Sequence, residues 1–188
     1  FWMALFLFCY SSLANIFGGW VYSYSLETKL ADLTRAAYLT SLFWGAFTLG
    51  RVLSIPVAMR FQPQQILQAD ILGSLFSVGA MLMFPKSGWV IWIASAGLGL
   101  SVASMFPTIM SLAERTLAVS GKVTSRFVVA SALGGMLPPW IVGQLFDTVG
   151  PKSVIWSVFA FLVVQGFVFF ILMNRVRMDL SEEKKNYE

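Results

Sequence analysis

Ser153-Val-Ile-Trp-Ser-Val-Phe-Ala-Phe-Leu-Val-Val-Gln-Gly-Phe-Val-Phe-Phe-Ile-Leu-Met-Asn174 runs between two polar segments without a single charge. A hydrocarbon core about 30 Å thick takes about 20 helical residues, and this stretch supplies them. Five more apolar stretches, each with few charges, precede it, so the sequence predicts membrane spans over 2–24, 38–60, 64–84, 88–112, 124–146 and 153–174. The chain is 57% hydrophobic and 12% charged, against about 25% charge in soluble domains. One such stretch could be a buried helix of a soluble protein, but six in a row separated by short polar loops read as a multi-pass, all-α integral membrane protein.

The same composition excludes several chemistries. There is no His and one Cys, Cys9, which rules out a His-based triad, a Cys/His zinc site and an internal disulfide framework. Nucleophile, base and orienter do not occur together, so no enzyme is expected, and neither is a cofactor or a metal. The net charge of +4 does not indicate nucleic acid, because the basic residues are scattered over loops instead of forming one surface. They sort by side of the membrane. With six alternating spans, Arg60, Arg115, Lys122, Arg126, Arg175, Arg177, Lys184 and Lys185 fall on one side and Lys29, Arg35, Lys86 and Lys152 on the other, with Arg51 inside a span. The positive-inside rule then puts the polar tail, 177–188, in the cytoplasm. Which membrane holds the protein, plasma membrane or endomembrane, is left open. Gln62-Pro63, Pro85-Lys86-Ser87-Gly88 and Val149-Gly150-Pro151 are the expected helix stops. The longest connection, 25–37, is polar and long enough for a short surface helix. The chain opens at Phe1 already within an apolar run, with no initiating Met and no cleavable leader, and reads as the C-terminal portion of something longer.

Aligning the second and fifth spans at an offset of 84 places Leu49-Gly50 on Leu133-Gly134 and Leu53 on Leu137. Two triplets of helices in opposite orientation would produce this echo, the arrangement that builds each half of many secondary transporters.

Phe17-Gly18-Gly19-Trp20, Gly50-Arg51, Phe106-Pro107-Thr108-Ile109-Met110-Ser111-Leu112, and Gly134-Gly135 with Pro138 resemble the fucose and sodium-dependent glucose transporter branch of the major facilitator superfamily. The resemblance covers the chain from end to end. It implies six helices in two inverted three-helix repeats, the C-terminal half of a twelve-helix bundle whose N-terminal six helices lie outside this sequence. It also implies transport of a small solute, a monosaccharide first, by alternating access, either as a facilitator or as a symporter with sodium or a proton as the coupling ion. Where the branch commonly carries an acidic residue near Ala14, this chain has Asn15, which weakens the case for coupling through this half. A carrier of the same fold for a carboxylate or nucleoside, and a membrane scaffold or receptor, are the competing readings.

The residues fit a carrier on physical grounds as well. Ser11, Asn15, Gly18 or Gly19 and Tyr22 form a polar stripe on the first span, and Thr40, Trp44, Thr48 and Arg51 one on the second. Such stripes are costly against lipid and belong on protein or water; interhelical hydrogen bonding is the simpler use of them. Asn15, Trp44, Thr48 and Trp140 are the expected solute-binding residues, combining hydrogen-bonding groups with aromatic faces. Pro107 should kink the fourth span. Arg51 and Asp70 lie at similar depth below the Pro63 turn and should pair, and Glu114 or Arg115 could join Arg60 or Lys122 in a second pair near the inner gate. The third and sixth spans, mostly apolar, should be peripheral.

Overall fold

The computed structural model describes residues 1–116 and 120–185, with side chains described as far as Arg175. Its helices are α1 (Trp2–Glu27), α2 (Leu33–Ala58), α3 (Pro63–Met83), α4 (Gly88–Ala103), α5 (Met105–Thr116), α6 (Gly121–Val149) and α7 (Lys152–Lys185). Together α4 and α5 form the fourth span, so six helical spans are long and apolar enough to cross a membrane. The protein is a multi-pass membrane protein.

Local chemistry sets the ends. The Asp32 carboxylate accepts from the Arg35 backbone N–H at 2.8 Å and starts α2 five residues before the expected position. The connection 25–37 is therefore mostly helix, a continuation of α1 and α2, and forms no separate surface element. Pro63, whose fixed φ suits a first turn, opens α3, and the Gln65 side chain accepts from Gln62 N–H at 3.1 Å. Gly150, at φ 100°, ends α6 in a conformation that L side chains rarely adopt. Beyond the expected limit at 174, the backbone of α7 stays helical to Lys185; residues 186–188 of the expected tail lie outside the described residues.

The fourth span breaks at Ser104 and not at Pro107 itself. A proline has no N–H for the carbonyl four residues earlier, and its ring crowds that carbonyl. The affected acceptor is Ala103, which is why the interruption lies on the N-terminal side of the proline. In contrast, α6 continues through Pro138 and Pro139.

Packing follows the repeat. α1 sits mainly against α6 and α7, α4 mainly against α2 and α3, and α3 touches α7. Exchanging the two triplets maps this set of neighbours onto itself, which is the half-bundle of two inverted three-helix units. The repeat-related glycines do the same work on each side: a Cβ on Gly50 would lie 2.7 Å from Ala103 Cβ and 2.9 Å from the Leu100 carbonyl, and one on Gly134 would overlap the Phe8 backbone. Without a hydrophobic drive between helices in lipid, such small-residue seams let backbones approach and gain dispersion contacts. Most of α1 is buried, while α2 and α6 are buried over only a small share of their length.

Candidate solute face

α1 and α2 run antiparallel, with Tyr10 opposite Arg51 and Phe17 and Gly18 opposite Phe43 and Trp44. Continuing that register sets Asn15 level with Ala46, within about 3 Å along the axis of both Trp44 and Thr48 at 1.5 Å per residue. The structure thus brings these three expected solute residues to one level. Asn15 is half-buried; its Nδ2 donates to the Ser11 carbonyl at 2.8 Å and lies near the Ser11 hydroxyl at 3.3 Å. Its amide fits because the facing residue on α6 is Gly135, where an added Cβ would lie 3.2 Å from Asn15 Nδ2.

Trp44 is 38% exposed, and its edge is seated over Gly18. Edge-to-face contacts with Phe43 (5.1 Å, 72°) and Phe47 (5.5 Å, 76°) hold the ring. A ring fixed in this way presents an aromatic surface at little further entropic cost, the property that stacking against a sugar needs. Thr48 is exposed, with its hydroxyl turned back to the Trp44 carbonyl at 2.9 Å. Trp140 lies close to the same level: α6 runs alongside α1 in the same direction, with Gly135 beside Asn15 and Pro139 beside Trp20, and the Trp140 ring stands 66% exposed. The neighbouring Pro139 carbonyl accepts from Trp20 Nε1 at 3.1 Å.

The expected charge pairs are absent. Among the described residues the only ion pair within 4 Å is Arg35 with Asp32. Arg51 instead reaches Tyr10 Oη with Nη2 at 3.4 Å and lies over the Phe47 ring, 4.7 Å from its centroid. Asp70 accepts from the Ser104 hydroxyl at 2.5 Å. Depth was right and azimuth decides: Gly50 is pressed against α4, so Arg51, one residue or about 100° further round, is turned toward α1. Glu114 and Arg115 are exposed at the end of α5, and Pro107 is exposed near its start. They are not drawn into a shared cluster.

Sequence reasoning missed Tyr10, Ser104 and Gln165. Ser101, Ser104, Thr108 and Ser111 repeat at helical spacing, a stripe that could have pointed to the fourth span's polar side. Gln165 is the lone amide between Ser157 and Asn174, and on a span read as peripheral it is fully buried. A cleft of about 530 Å³ runs between α2, α3 and α4 from Phe61 and Val57 down to Asp70 and Ser104.

Comparison with known proteins agrees with this architecture. The chain is 34% identical over 180 residues to the human major facilitator superfamily domain-containing protein 4A, covering 94% of this chain and 35% of that protein. It is 35% identical over 141 residues to the mouse sodium-dependent glucose transporter 1A, covering 75% of this chain and 33% of that protein. Over 182 residues it is 29% identical to the human sodium-dependent glucose transporter 1, covering 96% and 35%. The chain spans about a third of the length of these curated relatives. No family model matches it, and no solved structure matches it.

Proposed function

We propose, from this kinship with the major facilitator superfamily, that the chain is one six-helix half of a secondary transporter that moves a small polar solute, a monosaccharide first, by alternating access. The observation that carries the reading is the face of α2 and α6. These two repeat-related spans are the least buried of the six, yet they expose Leu49, Val52, Leu53, Leu133, Leu137 and Trp140 beside the polar stripe of Asn15, Trp44 and Thr48. An apolar rim around polar residues suits a second six-helix body closing over an aqueous path. The missing N-terminal half of the same protein is that body.

Sugar is favoured over other solutes because Trp44 offers a held aromatic face next to an amide and a hydroxyl, and because relatives are named as glucose transporters. One observation supports a second reading. Arg51 sits exposed and, among the described residues, without a carboxylate partner, which would serve a carboxylate solute. Uptake of labelled monosaccharide, monocarboxylate and nucleoside into proteoliposomes holding the full-length carrier separates the two. Saturable entry of the monosaccharide alone is expected; saturable carboxylate entry that is lost in Arg51→Gln would replace the sugar reading.

A further inference from the structure

Asp70 is the one acidic side chain buried among the described residues, at 9% exposure. Its Oδ2 takes the hydroxyl of Ser104, the residue at which the fourth span breaks. This is a poor place for a bare carboxylate. No cation lies within 4 Å of it among the described residues, and a buried charge without a counter-charge is strongly disfavoured. The C-terminal end of α4 also presents its partial negative charge here, with the Ala103 carbonyl deprived of a donor by Pro107.

A second, independent observation comes from α7. Gln165 is 0% exposed; its Nε2 lies 3.3 Å from the Sδ of Met105, the residue after Ser104, while its Oε1 has no hydrogen-bond partner among the described residues. The next residue, Gly166, faces Ile71, the neighbour of Asp70. These two contacts put Gln165 at about the level of Asp70 and Ser104, with an unused oxygen in that layer. Buried polar atoms are rarely left so, and a bound ion is one way to satisfy them.

Carboxylate, hydroxyl, amide carbonyl and a freed backbone carbonyl are all hard oxygen ligands with a single net negative charge. That set suits a monovalent cation; a divalent ion would want more carboxylates, and no group of three acidic, Cys or His side chains occurs among the described residues. The cleft of about 530 Å³ reaches Asp70 and Ser104 from the α2–α3 turn, giving a hydrated ion a route. We propose that Asp70, Ser104 and Gln165 form a sodium-binding site at the break in the fourth span. Discontinuous helices supply such sites in other carrier folds. Because the ligands come from α3, from the α4–α5 junction and from α7, any movement of α5 against α4 alters the set, and ion binding biases that movement. The third and sixth spans then hold the ion while the first, second and fifth meet the solute.

The use of the ion rests on the carrier reading, whereas binding itself can be measured with no solute present. Purified full-length carrier is titrated with radiolabelled sodium, and its melting temperature is followed in sodium, potassium or choline at one pH. The parent should bind sodium saturably and melt higher in sodium than in choline. Asp70→Asn, which still offers Ser104 an acceptor, should lose saturable binding, and Ser104→Ala should weaken it about 2- to 10-fold, the worth of one neutral ligand. Gln165→Leu separates a ligand from a merely structural residue: it should melt no lower than the parent in choline, since it removes an orphaned oxygen, yet gain less from sodium. If Asp70→Asn does not fold, the other two decide. Absence of saturable sodium binding in the parent, undiminished binding in all the variants that fold, or stabilisation that follows pH and ignores sodium would overturn the site. Sodium binding that behaves as described while no solute of the panel is taken up upholds the site and removes the solute reading instead.

Discussion

Arg51 and Tyr10 join α2 to α1 through a 3.4 Å contact between the guanidinium Nη2 and the phenol Oη, with the Phe47 ring beneath the same guanidinium. A cation at membrane depth is thus held by a hydroxyl and an aromatic face instead of a carboxylate. Tyr10→Phe keeps the ring, which packs 6.1 Å from Phe106, and removes only the oxygen. It should destabilise the purified full-length protein by about 0.5 to 1.5 kcal/mol. A double-mutant cycle between Tyr10→Phe and Arg51→Gln should show coupling of about 0.5 kcal/mol or more, while Arg51→Gln and Asp70→Asn should add within about 0.5 kcal/mol. Coupling only in the second cycle would restore the carboxylate partner that the geometry denies.

Glycine positions give a sharp contrast in stability. Gly134→Ala drives a methyl into the Phe8 backbone, and Gly50→Ala meets Ala103 and Leu100; each should cost about 1 to 3 kcal/mol as overpacking. An added Cβ at Gly19 meets nothing within 4 Å, so Gly19→Ala should gain about 0.5 to 1 kcal/mol from the helix alone. Thermal melts of the three variants settle the order. Equal effects at Gly50 and Gly19 would mean that the α2–α4 seam is looser than the structure has it.

Pro107→Ala returns an N–H opposite the Ala103 carbonyl and favours a continuous fourth span. The expected outcome is a protein that melts no lower than the parent but transports more slowly, because the break is where the halves of that span can move. Uptake at the parental rate would reduce Pro107 to a static bend.

On the open face, Asn15→Ala should weaken solute affinity by about 0.5 to 1.5 kcal/mol if one neutral hydrogen bond is lost. Trp44→Ala should lose more, since the stacking surface disappears with the ring. Trp140→Ala, which removes an exposed ring on α6 near the level of Trp44, should weaken affinity as well. Equilibrium binding of labelled monosaccharide to the full-length carrier measures all three.

Six spans were legible because apolar runs of bilayer length with few charges have almost no other use, and the offset that placed Gly50 on Gly134 pointed to the seams both residues make. The start of α2 was not legible, since Asp32 acts as a cap only once the Leu33 turn has formed. Counting residues fixed the depth of Arg51 and Asp70, but not which neighbour each faces; that depended on Gly50 lying against α4. Gln165 gave no signal within an apolar span, because a single amide carries no periodicity.

The central claim is that the α1–α2 face lines an aqueous solute path, and substituted-cysteine accessibility tests it most directly. In a Cys9→Ala background of the full-length carrier, Thr48→Cys and Asn15→Cys should react with a membrane-impermeant thiol reagent, and a transported monosaccharide should slow the reaction. Val163→Cys and Phe167→Cys, exposed on α7 in this half, should stay unreactive in the bilayer. Reaction at 163 and 167 with none at 15 and 48, or labelling at 48 that no solute slows, would contradict the account.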